Sequence, residues 1–426
     1  RSIRTAVIGA GPRGTSVLER LLANWVSVGS AGTLHIDVVD PYPAGPGHVW
    51  QPGQSRLYLM NTQSFYPTVV PEDPELAPPL AGHTFDQWRE RQQAHPHPSL
   101  TDEERADVSR LGEADFPSRA LYGRYLRSTL EELLTVLPAG VSVDFHAATA
   151  TSVRHAAARP AAAYVLAAAS GPAGAEEASV RFDVALDDGT EIEAPVVVSA
   201  CDPHRTFLSW LREPPASASG LVERWRAIPQ HEGYESKIDA VLTEPPVLRS
   251  TGTPPASTAV IAPSLGEMHR GHGLMADGEV LDRPGMLVNV PSLVDPSMAP
   301  DGRHVFSLEA LYTPYGLRGG WPGSSEPWRW LERFAELCEP GFLDSIVEWR
   351  AMTPDRYETE FHLPAGHATS FAGGPLAAMR NPNPELTHYE TAVDGLYLTG
   401  AATFPGAGVW GASGRNCATV VLAREQ

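Results

Sequence analysis

The chain of 426 residues has few cysteines, few basic residues and no long hydrophobic run. Its three cysteines, Cys201, Cys338 and Cys417, lie far apart and are odd in number, which argues against a disulfide framework or a Cys-x-x-Cys metal site. Lys and Arg total 32 against 51 Asp and Glu, so the formal charge of -19 argues against nucleic acid and anionic membrane surfaces as partners. No segment approaches the run of about 18 apolar residues that a membrane span needs.

Motifs of several enzyme classes are missing too. The chain has no Gly-x-Ser-x-Gly elbow, no His-Glu-x-x-His pair and no phosphate-loop lysine, which argues against hydrolases, zinc proteases and P-loop nucleotidases. The pairs His95 with His97 and His269 with His272 have metal-like spacing but no companion ligands, so no metal is predicted. Because no basic and then apolar leader opens the chain, we expect a cytoplasmic protein.

The first forty residues carry the strongest motif. Gly9, Gly11 and Gly14 lie between the apolar run Ala6-Val7-Ile8 and a segment whose apolar residues recur at the helical period. In such a turn the first glycine permits the tight bend, the second lets backbone approach a pyrophosphate, and the third lets helix and strand pack closely. The next predicted strand ends at Asp40, an acid suited to an adenosine ribose. This unit is predicted to bind an adenine dinucleotide, with NAD and FAD both open.

The chain loses its periodicity from Pro41 for about seventy residues, which is typical of a functional or inserted segment. Its one dense apolar patch, Tyr58-Leu-Met-Asn-Thr62, either packs on the core or lies beside a cofactor ring. Periodicity then predicts a helix over 118–137, a strand over 141–145, an antiparallel meander that includes Tyr164-Val-Leu, and a buried parallel strand over 194–200.

Large aromatic residues characterise the middle of the chain, where they alternate with Pro-Gly turns. Such residues line apolar ligand pockets or fill ordinary cores, and the core is the more frequent place. They are Trp210, Trp225, Tyr234, Trp321, Trp328, Trp330 and Trp349. No second Gly-x-Gly-x-x-Gly follows a strand in this region, so a separate NAD(P)H domain is not visible.

The last forty residues are rich in glycine and other small residues. They predict a buried strand over 395–400, a Gly/Pro-rich loop over 401–408 and a helix of small residues from Val409 to about Ala423. A glycine-rich loop that enters a helix places a positive helix end near an anionic group or an electron-rich ring.

Two family resemblances follow from these motifs. The stretch 396–418, Leu-Tyr-Leu-Thr-Gly-Ala-Ala-Thr-Phe-Pro-Gly-Ala-Gly-Val-Trp-Gly-Ala-Ser-Gly-Arg-Asn-Cys-Ala, resembles the C-terminal FAD signature of the phytoene-desaturase-like flavoproteins in the amine-oxidase superfamily. That resemblance extends over about residues 190–426 and includes Val196-Val-Val-Ser-Ala-Cys-Asp-Pro203. The start, with Gly11-Pro-Arg-Gly14, Val39-Asp-Pro41 and Leu59-Met-Asn-Thr62, is similar instead to a bacterial FAD/NAD(P)-binding family.

The resemblance implies an α/β fold, with a Rossmann-type FAD-binding domain formed from both chain ends and an inserted α+β substrate domain. The implied FAD-binding domain comprises residues 1–48, 112–205 and 388–426, with an irregular insertion over 49–111 and the substrate domain over 206–387. Its implied FAD-binding residues come from both ends of the chain: Gly9, Gly11, Pro12, Arg13, Gly14, Asp40, Asn61, Gly400, Ala401, Gly408, Val409 and Gly411.

The implied function is that of an FAD-dependent dehydrogenase, oxidase or desaturase. It would take hydride from a C–H or C–N bond of a small substrate of the secondary-metabolite kind, without nucleic acid or stable membrane insertion. Trp410, Tyr312 and His367 are the candidate catalytic residues, each with packing as the alternative. Two other functions stay open: a flavin monooxygenase that hydroxylates nitrogen or carbon, and a redox-neutral flavin-dependent isomerase.

Overall fold

The computed structural model describes residues 2–27, 32–71, 73, 75, 77–156, 181–230, 232–255, 258–367, 380 and 383–425. The chain forms two compact units. The first unit comprises Arg1–Pro229 with Ser370–Gln426, and the second comprises Gln230–Thr369. Both chain ends therefore lie in one unit, as the predicted fold class requires. The division into domains at 48, 111, 205 and 387 stays a prediction.

Strands follow one another along the chain as β1 (Ser2–Ile8), β2 (Thr33–Val39), β3 (Val141–His146), β4 (Ala150–Ala156), β5 (Arg181–Leu186), β6 (Glu191–Ala194), β7 (Val196–Ser199), β8 (Leu211–Arg212), β9 (Glu235–Leu242), β10 (Ala259–Ile261), β11 (Met286–Asn289), β12 (His304–Leu311), β13 (Ile346–Met352) and β14 (Leu396–Leu398).

The helices are α1 (Pro12–Ser27), α2 (Phe85–Ala94), α3 (Asp102–Arg110), α4 (Arg119–Thr135), α5 (Ser219–Ala227), α6 (Leu265–Ala276), α7 (Glu326–Ala335) and α8 (Pro354–Phe361), followed by a short helix at Glu385–His388 and the C-terminal helix Ala412–Glu425. A π-helical turn lies at Arg205–Trp210. In the part of the chain that is described, no helix has the length and apolar character needed to cross a membrane.

A five-stranded parallel sheet organises the first unit, in the order β14-β7-β1-β2-β3. Its central strands are buried on both faces, which is why Val196–Ser199 reads as a continuous apolar run. The apolar stripe of α1, including Leu18 and Leu21, is buried against one face together with Val421 of the C-terminal helix. The predicted Rossmann-type α/β arrangement is confirmed.

The other face of this sheet packs on a four-stranded sheet of order β6-β5-β4-β8. Strands β4, β5 and β6 form the antiparallel part of the predicted meander, and β8 adds in parallel to β4. The predicted strand at Tyr164-Val-Leu lies outside the described residues.

Two helices, α2 and α3, lie in the stretch 49–111 that was predicted to be irregular, so that prediction is wrong for these residues. Both are polar and bury few side chains, which leaves almost no apolar period to detect. Each begins with a capping box, in which Thr84 pairs with Gln87 and Thr101 pairs with Glu104. The Thr-x-x-Gln and Thr-x-x-Glu spacings mark these two helix starts in the sequence, whereas apolar periodicity does not.

The second unit is built on an antiparallel sheet of order β10-β11-β12-β9-β13. Buried and half-buried residues alternate along β9, so one face of the sheet points to a core that contains Trp330 and Phe306. Helix α7 contributes Trp330, Leu331 and Phe334 to this core.

The aromatic residues of the middle region are mostly core residues. Trp321 and Trp330 are buried in the second unit, whereas Trp210 and Trp225 belong to the core of the first. Trp328 and Trp349 are partly exposed and contact each other, with ring centroids 5.6 Å apart. The core alternative therefore holds for four of the seven residues.

The packing of α4 generates a stability prediction. A Cβ atom at Gly123 would lie 1.5 Å from the carbonyl oxygen of Trp50, whereas one at Gly220, in α5 of the same unit, would meet no described atom within 4 Å. We expect Gly123→Ala to lower the free energy of unfolding by about 3 kcal/mol because the 50–52 segment must move. We expect Gly220→Ala to change it by less than about 1 kcal/mol, in the stabilising direction. Urea denaturation measures both, and equal midpoints would contradict this contact.

Candidate cofactor site

The glycine turn between β1 and α1 has the shape that the motif predicts. Gly9 has a φ of +106° and donates its N–H to the carbonyl of Val39 at 2.8 Å. A Cβ at Gly14 would lie 1.9 Å from the carbonyl oxygen of Gly9, so only glycine lets α1 start so close to the strand. A Cβ at Gly11 would meet no described atom within 4 Å. Gly9 and Gly14 therefore shape the turn, while Gly11 borders open space.

The first turn of α1 borders the same space. The helix begins at Pro12, a residue suited to this position because its missing N–H has no helical partner there. No acidic side chain lies in the first turn. The free backbone N–H groups and the positive end of the helix dipole therefore favour an anionic group beside Gly11.

Asp40 follows β2 directly and is held against this turn. Its Oδ2 accepts the N–H of Ala10 at 2.7 Å, and its Oδ1 accepts the N–H of Tyr42 at 2.8 Å. These two bonds orient the carboxylate, a group with about four lone-pair sites in all. The ribose contact itself stays a prediction.

The segment after Asp40 covers the turn, which the sequence did not reveal. Gly45 donates its N–H to the carbonyl of Ala10 at 2.8 Å, and a Cβ at Gly47 would lie 3.0 Å from the Cα of Gly11. Both glycines have positive φ, +90° and +61°. The Pro43–Gly47 stretch is thus part of the site.

Arg13 is the most unusual side chain of the site. Its Nη2 donates to the carbonyl of Gly406 at 3.1 Å, across 393 residues of sequence. Its Nε and Nη1 are buried and have no hydrogen-bond partner among the described residues, although the residue as a whole is half-buried. Burial lowers the pKa of Arg13 to about 10, so the group remains a cation at neutral pH. Two unused donors and a shielded positive charge fit the diphosphate of an FAD molecule.

The loop before the C-terminal helix packs tightly on the N-terminal part of the chain. Ser16 of α1 donates its hydroxyl to the carbonyl of Gly411 at 2.6 Å, and a Cβ at Gly411 would lie 2.4 Å from that hydroxyl oxygen. A Cβ at Gly414 would lie 2.6 Å from the carbonyl oxygen of Arg13. Gly400, with a φ of +117°, approaches the backbone at Ala200. Glycine at 411 and 414 thus lets two helices and a loop come into backbone contact.

Val409 and Gly408 lie in the same loop. Val409 is buried, and its carbonyl accepts the hydroxyl of Tyr122 at 3.2 Å. Gly408 has a φ of +155°, and a Cβ there would lie 2.8 Å from the ring of Trp410. Ala401 is exposed. The loop is therefore anchored at its C-terminal side.

Asn61 is exposed, while the neighbouring Met60 is buried in the cluster that also contains Val409. Tyr58 and Leu59 are about half exposed. The apolar patch around Asn61 is thus only partly packed on the core. A contact between Asn61 and the cofactor stays a prediction.

Trp410 lies next to the glycine loop and stacks on Tyr66, with ring centroids 5.8 Å apart and planes inclined by 24°. Its indole Nε1 is buried and lacks a partner in the described part of the chain. Tyr66 was missed by the sequence analysis because it lies in the aperiodic stretch and meets Trp410 only in the folded chain.

The structure does not bring the three candidate catalytic residues into one unit. Tyr312 and His367 both lie in the second unit, where Tyr312 follows β12 with a φ of +62°. A left-handed backbone at a tyrosine is strained and is found preferentially at functional positions. His367 donates its N–H to the carbonyl of Pro364 at 3.2 Å. Catalytic roles for Tyr312, His367 and Trp410 stay predictions.

A carboxylate pair on the sheet of the second unit was also missed. Glu309 faces Lys237 across β12 and β9, and Glu235 lies two residues away on the same face. Burial, together with the neighbouring Glu309, raises the pKa of Glu235 to about 7. Groups that titrate near neutral pH are candidates for acid–base work. Only the register of the two strands reveals this pair.

One group of side chains has the spacing of metal ligands within the described ranges: His35, Asp37 and Asp144. The carboxylate of Asp37 is already occupied, because Arg4 Nε donates to it at 2.7 Å and His146 Nε2 lies 2.9 Å away. These partners hold the pKa of Asp37 below its usual range although burial alone would raise it. An arginine on the carboxylate does not favour a cation there, and we assign no metal to this group.

The carboxylate pair predicts a pH dependence of stability. Because the pKa of Glu235 rises from 4.5 to about 7 on folding, the folded chain binds its proton more tightly than the unfolded chain. The stabilisation is complete below the unfolded pKa and is lost as pH rises towards 7. We expect the urea midpoint of the wild type to fall over this range, and the fall to be smaller in Glu235→Gln.

The matched control for that measurement is Glu348→Gln, which removes an exposed carboxylate from β13 of the same sheet. We expect it to keep the pH dependence of the wild type. A Glu235→Gln variant with an unchanged pH profile would contradict the assignment of this titration to Glu235.

Because Gly11 borders open space, a substitution there is predicted to change FAD binding without changing the stability of the ligand-free protein. We expect Gly11→Ala to leave the unfolding temperature of the ligand-free protein unchanged and to weaken FAD binding at least about tenfold, because the methyl group occupies ligand space. Gly14→Ala is the contrasting variant and lowers the unfolding temperature. Thermal unfolding and titration with FAD measure the two effects. An unchanged FAD affinity in Gly11→Ala would place the diphosphate elsewhere.

Residues 6–179 match the model of a protein family described as FAD-NAD(P)-binding. Pyridine nucleotide-disulfide oxidoreductase domain-containing protein 2 of Mus musculus is 30% identical over 259 residues, which are 56% of this chain and 43% of that protein. An L-aspartate N-monooxygenase (nitrosuccinate-forming) of Streptomyces cremeus is 36% identical over 160 residues, 36% of this chain and 24% of that protein.

A phytoene desaturase (neurosporene-forming) of Rhodobacter capsulatus is 28% identical over 237 residues, 53% of this chain and 42% of that protein. The chain thus spans less than half the length of each of these relatives. The description of the family agrees with FAD, the predicted cofactor. Both predicted resemblances, to an FAD/NAD(P)-binding family and to phytoene-desaturase-like flavoproteins, are confirmed.

Proposed function

We propose that the protein is an FAD-dependent oxidoreductase that takes hydride from a C–H or C–N bond of a small organic substrate. The observation that carries the proposal is a pair of buried donors on Arg13, Nε and Nη1, that have no partner among the described residues and lie beside the start of α1 and the loop from the other chain end. A buried cation with free hydrogen-bond donors requires an anionic, acceptor-rich ligand. A dinucleotide is such a ligand.

Each part of the site suits one part of FAD. The turn over Gly9–Gly14 and the start of α1 would hold the diphosphate, and Asp40 would hold the adenosine ribose. The glycine loop before the C-terminal helix would hold the flavin end, where small residues let backbone come close to a flat ring. FAD, when bound, supplies the electron acceptor for hydride from the substrate.

Two observations favour FAD over NAD(P). If Asp40 binds the adenosine ribose, its carboxylate would repel a 2′-phosphate, which argues against NADP. The site also draws on both ends of the chain, since Arg13 contacts Gly406 and Ser16 contacts Gly411. A long cofactor that extends from the turn at Gly9–Gly14 to the loop at Gly400–Gly411 explains why both regions are glycine-rich and mutually packed.

The residues around the loop would also control access of water to the flavin end. Trp410 and Tyr66 form a stacked pair beside Gly408, and Val409 is buried against Tyr122. Aromatic walls exclude solvent and position flat or apolar substrates. The Nε1 of Trp410, which lacks a described partner, is available to donate a hydrogen bond to the substrate or the cofactor.

N-hydroxylation is the second candidate function. The specific observation in its favour is the 36% identity over 160 residues to an enzyme whose name describes an aspartate N-monooxygenase. A monooxygenase of this kind needs a nicotinamide donor to reduce its flavin. The aromatic middle of the chain contains no further Gly-x-Gly-x-x-Gly after a predicted strand, which favours the dehydrogenase or oxidase function.

Anaerobic reduction of the FAD-loaded protein separates these functions. We expect the visible flavin absorption to bleach when the protein meets a substrate from a panel of amines, amino acids and polyenes, and to stay unchanged with NADH or NADPH alone. Bleaching by NADPH without substrate would overturn the dehydrogenase proposal and establish the monooxygenase. A changed double-bond geometry in a polyene without any bleaching would instead establish an isomerase. Gly11→Ala, which is expected to bind FAD weakly, is the control for bleaching that does not require the site.

A further inference from the structure

The side chain of Arg13 belongs to two parts of the site at once. As the second residue of α1 it lies between Gly11 and Gly14, and through Nη2 it holds the carbonyl of Gly406 in the C-terminal loop. The carbonyl oxygen of Arg13 packs closely on Gly414, where a Cβ would lie 2.6 Å away. The backbone and the side chain of Arg13 are therefore both held in place. The guanidinium therefore has a defined position that does not depend on a ligand.

Among the described residues, no carboxylate neutralises the charge of Arg13. Burial lowers the pKa of Arg13, and the positive charge of the nearby Arg415 lowers it further. Nε and Nη1 have no partner among the described residues either. A buried cation without a counter-charge destabilises the folded protein by several kcal/mol in general. Such a side chain is therefore expected where an anionic ligand pairs with it.

The chemistry of the group selects the ligand. A guanidinium presents its donors in a rigid planar fork that matches the oxygens of a phosphate better than isolated carbonyl oxygens. The free N–H groups at the start of α1 and the open space at Gly11 border the same position. All three features favour a diphosphate and not the flavin ring at this point.

We propose that Arg13 binds the diphosphate of the dinucleotide directly and thereby links it to the C-terminal loop at Gly406. This inference rests on the proposed FAD site and adds to it a specific contact. It has two consequences. ADP, which carries the diphosphate without a flavin, engages Arg13 as FAD does, and riboflavin, which carries the flavin without a diphosphate, does not.

The inference also predicts an unusual effect on the ligand-free protein. In Arg13→Met the aliphatic stem is kept and the uncompensated charge is removed, so the ligand-free variant unfolds at the same temperature as the wild type or a higher one. A side chain that served only to hold the loop would act in the opposite direction, because loss of the bond to Gly406 would then lower the unfolding temperature.

The experiment compares the wild type, Arg13→Met and Arg415→Gln, each stripped of cofactor, by thermal unfolding and by calorimetric titration with FAD, ADP and riboflavin. We expect Arg13→Met to weaken the binding of both FAD and ADP by about a hundredfold, as befits a lost charge-assisted contact, and to leave the binding of riboflavin unchanged. Arg415→Gln also removes one positive charge, from a nearby position on the C-terminal helix. We expect this variant to weaken the binding of ADP by less than about fivefold.

The outcomes that overturn the inference are distinct. Equal losses of ADP affinity in the two variants would show a general positive field and no direct contact. A loss of riboflavin affinity with unchanged ADP affinity would place Arg13 at the flavin ring. A lower unfolding temperature of ligand-free Arg13→Met would make the residue structural. If the wild type itself binds neither FAD nor ADP, the proposed function fails, and the role of Arg13 fails with it.

Discussion

The close backbone contact between the two ends of the chain is the constraint on which the site depends. Ser16 reaches the carbonyl of Gly411, and a Cβ at Gly414 would collide with the carbonyl of Arg13. These contacts bring the start of α1, the glycine turn and the C-terminal loop to one place. Because interiors are close-packed, a single added methyl group at 411 or 414 would separate the elements by a distance that a dinucleotide contact does not tolerate.

The parts of this site that the sequence predicts are the ones that local chemistry specifies. The turn between β1 and α1 has six residues and needs glycine at 9, 11 and 14. The helix α1 shows an apolar period, and Asp40 follows directly after an apolar strand. All of these lie within forty residues of one another, so no long-range information is needed. The small residues of the C-terminal helix are visible for the same reason.

The parts that the sequence does not predict depend on distant segments or on polar surface. Tyr66 meets Trp410 across more than three hundred residues, and Glu235 meets Glu309 only through the register of two strands. The helices α2 and α3 bury little apolar surface, so their capping residues carry the only local signal. That Nε and Nη1 of Arg13 lack a partner in the described part of the chain is likewise a property of packing, since any arginine in a sequence could have a carboxylate partner in the fold.

The sheet order has a consequence for how the first unit is assembled. The strand β14 pairs in parallel with β7, and the C-terminal helix covers the same apolar stripe of α1 that contains Leu18 and Leu21. The contact between Ser16 and Gly411 closes a loop of 395 residues. Non-local pairing of this kind is slow. During synthesis the apolar stripe of α1 cannot be fully buried until β14 and the C-terminal helix have been made. The N-terminal part of the chain therefore leaves the ribosome as an incomplete domain with an exposed hydrophobic surface. A chaperone that covers this surface during translation is expected to raise the yield of folded protein.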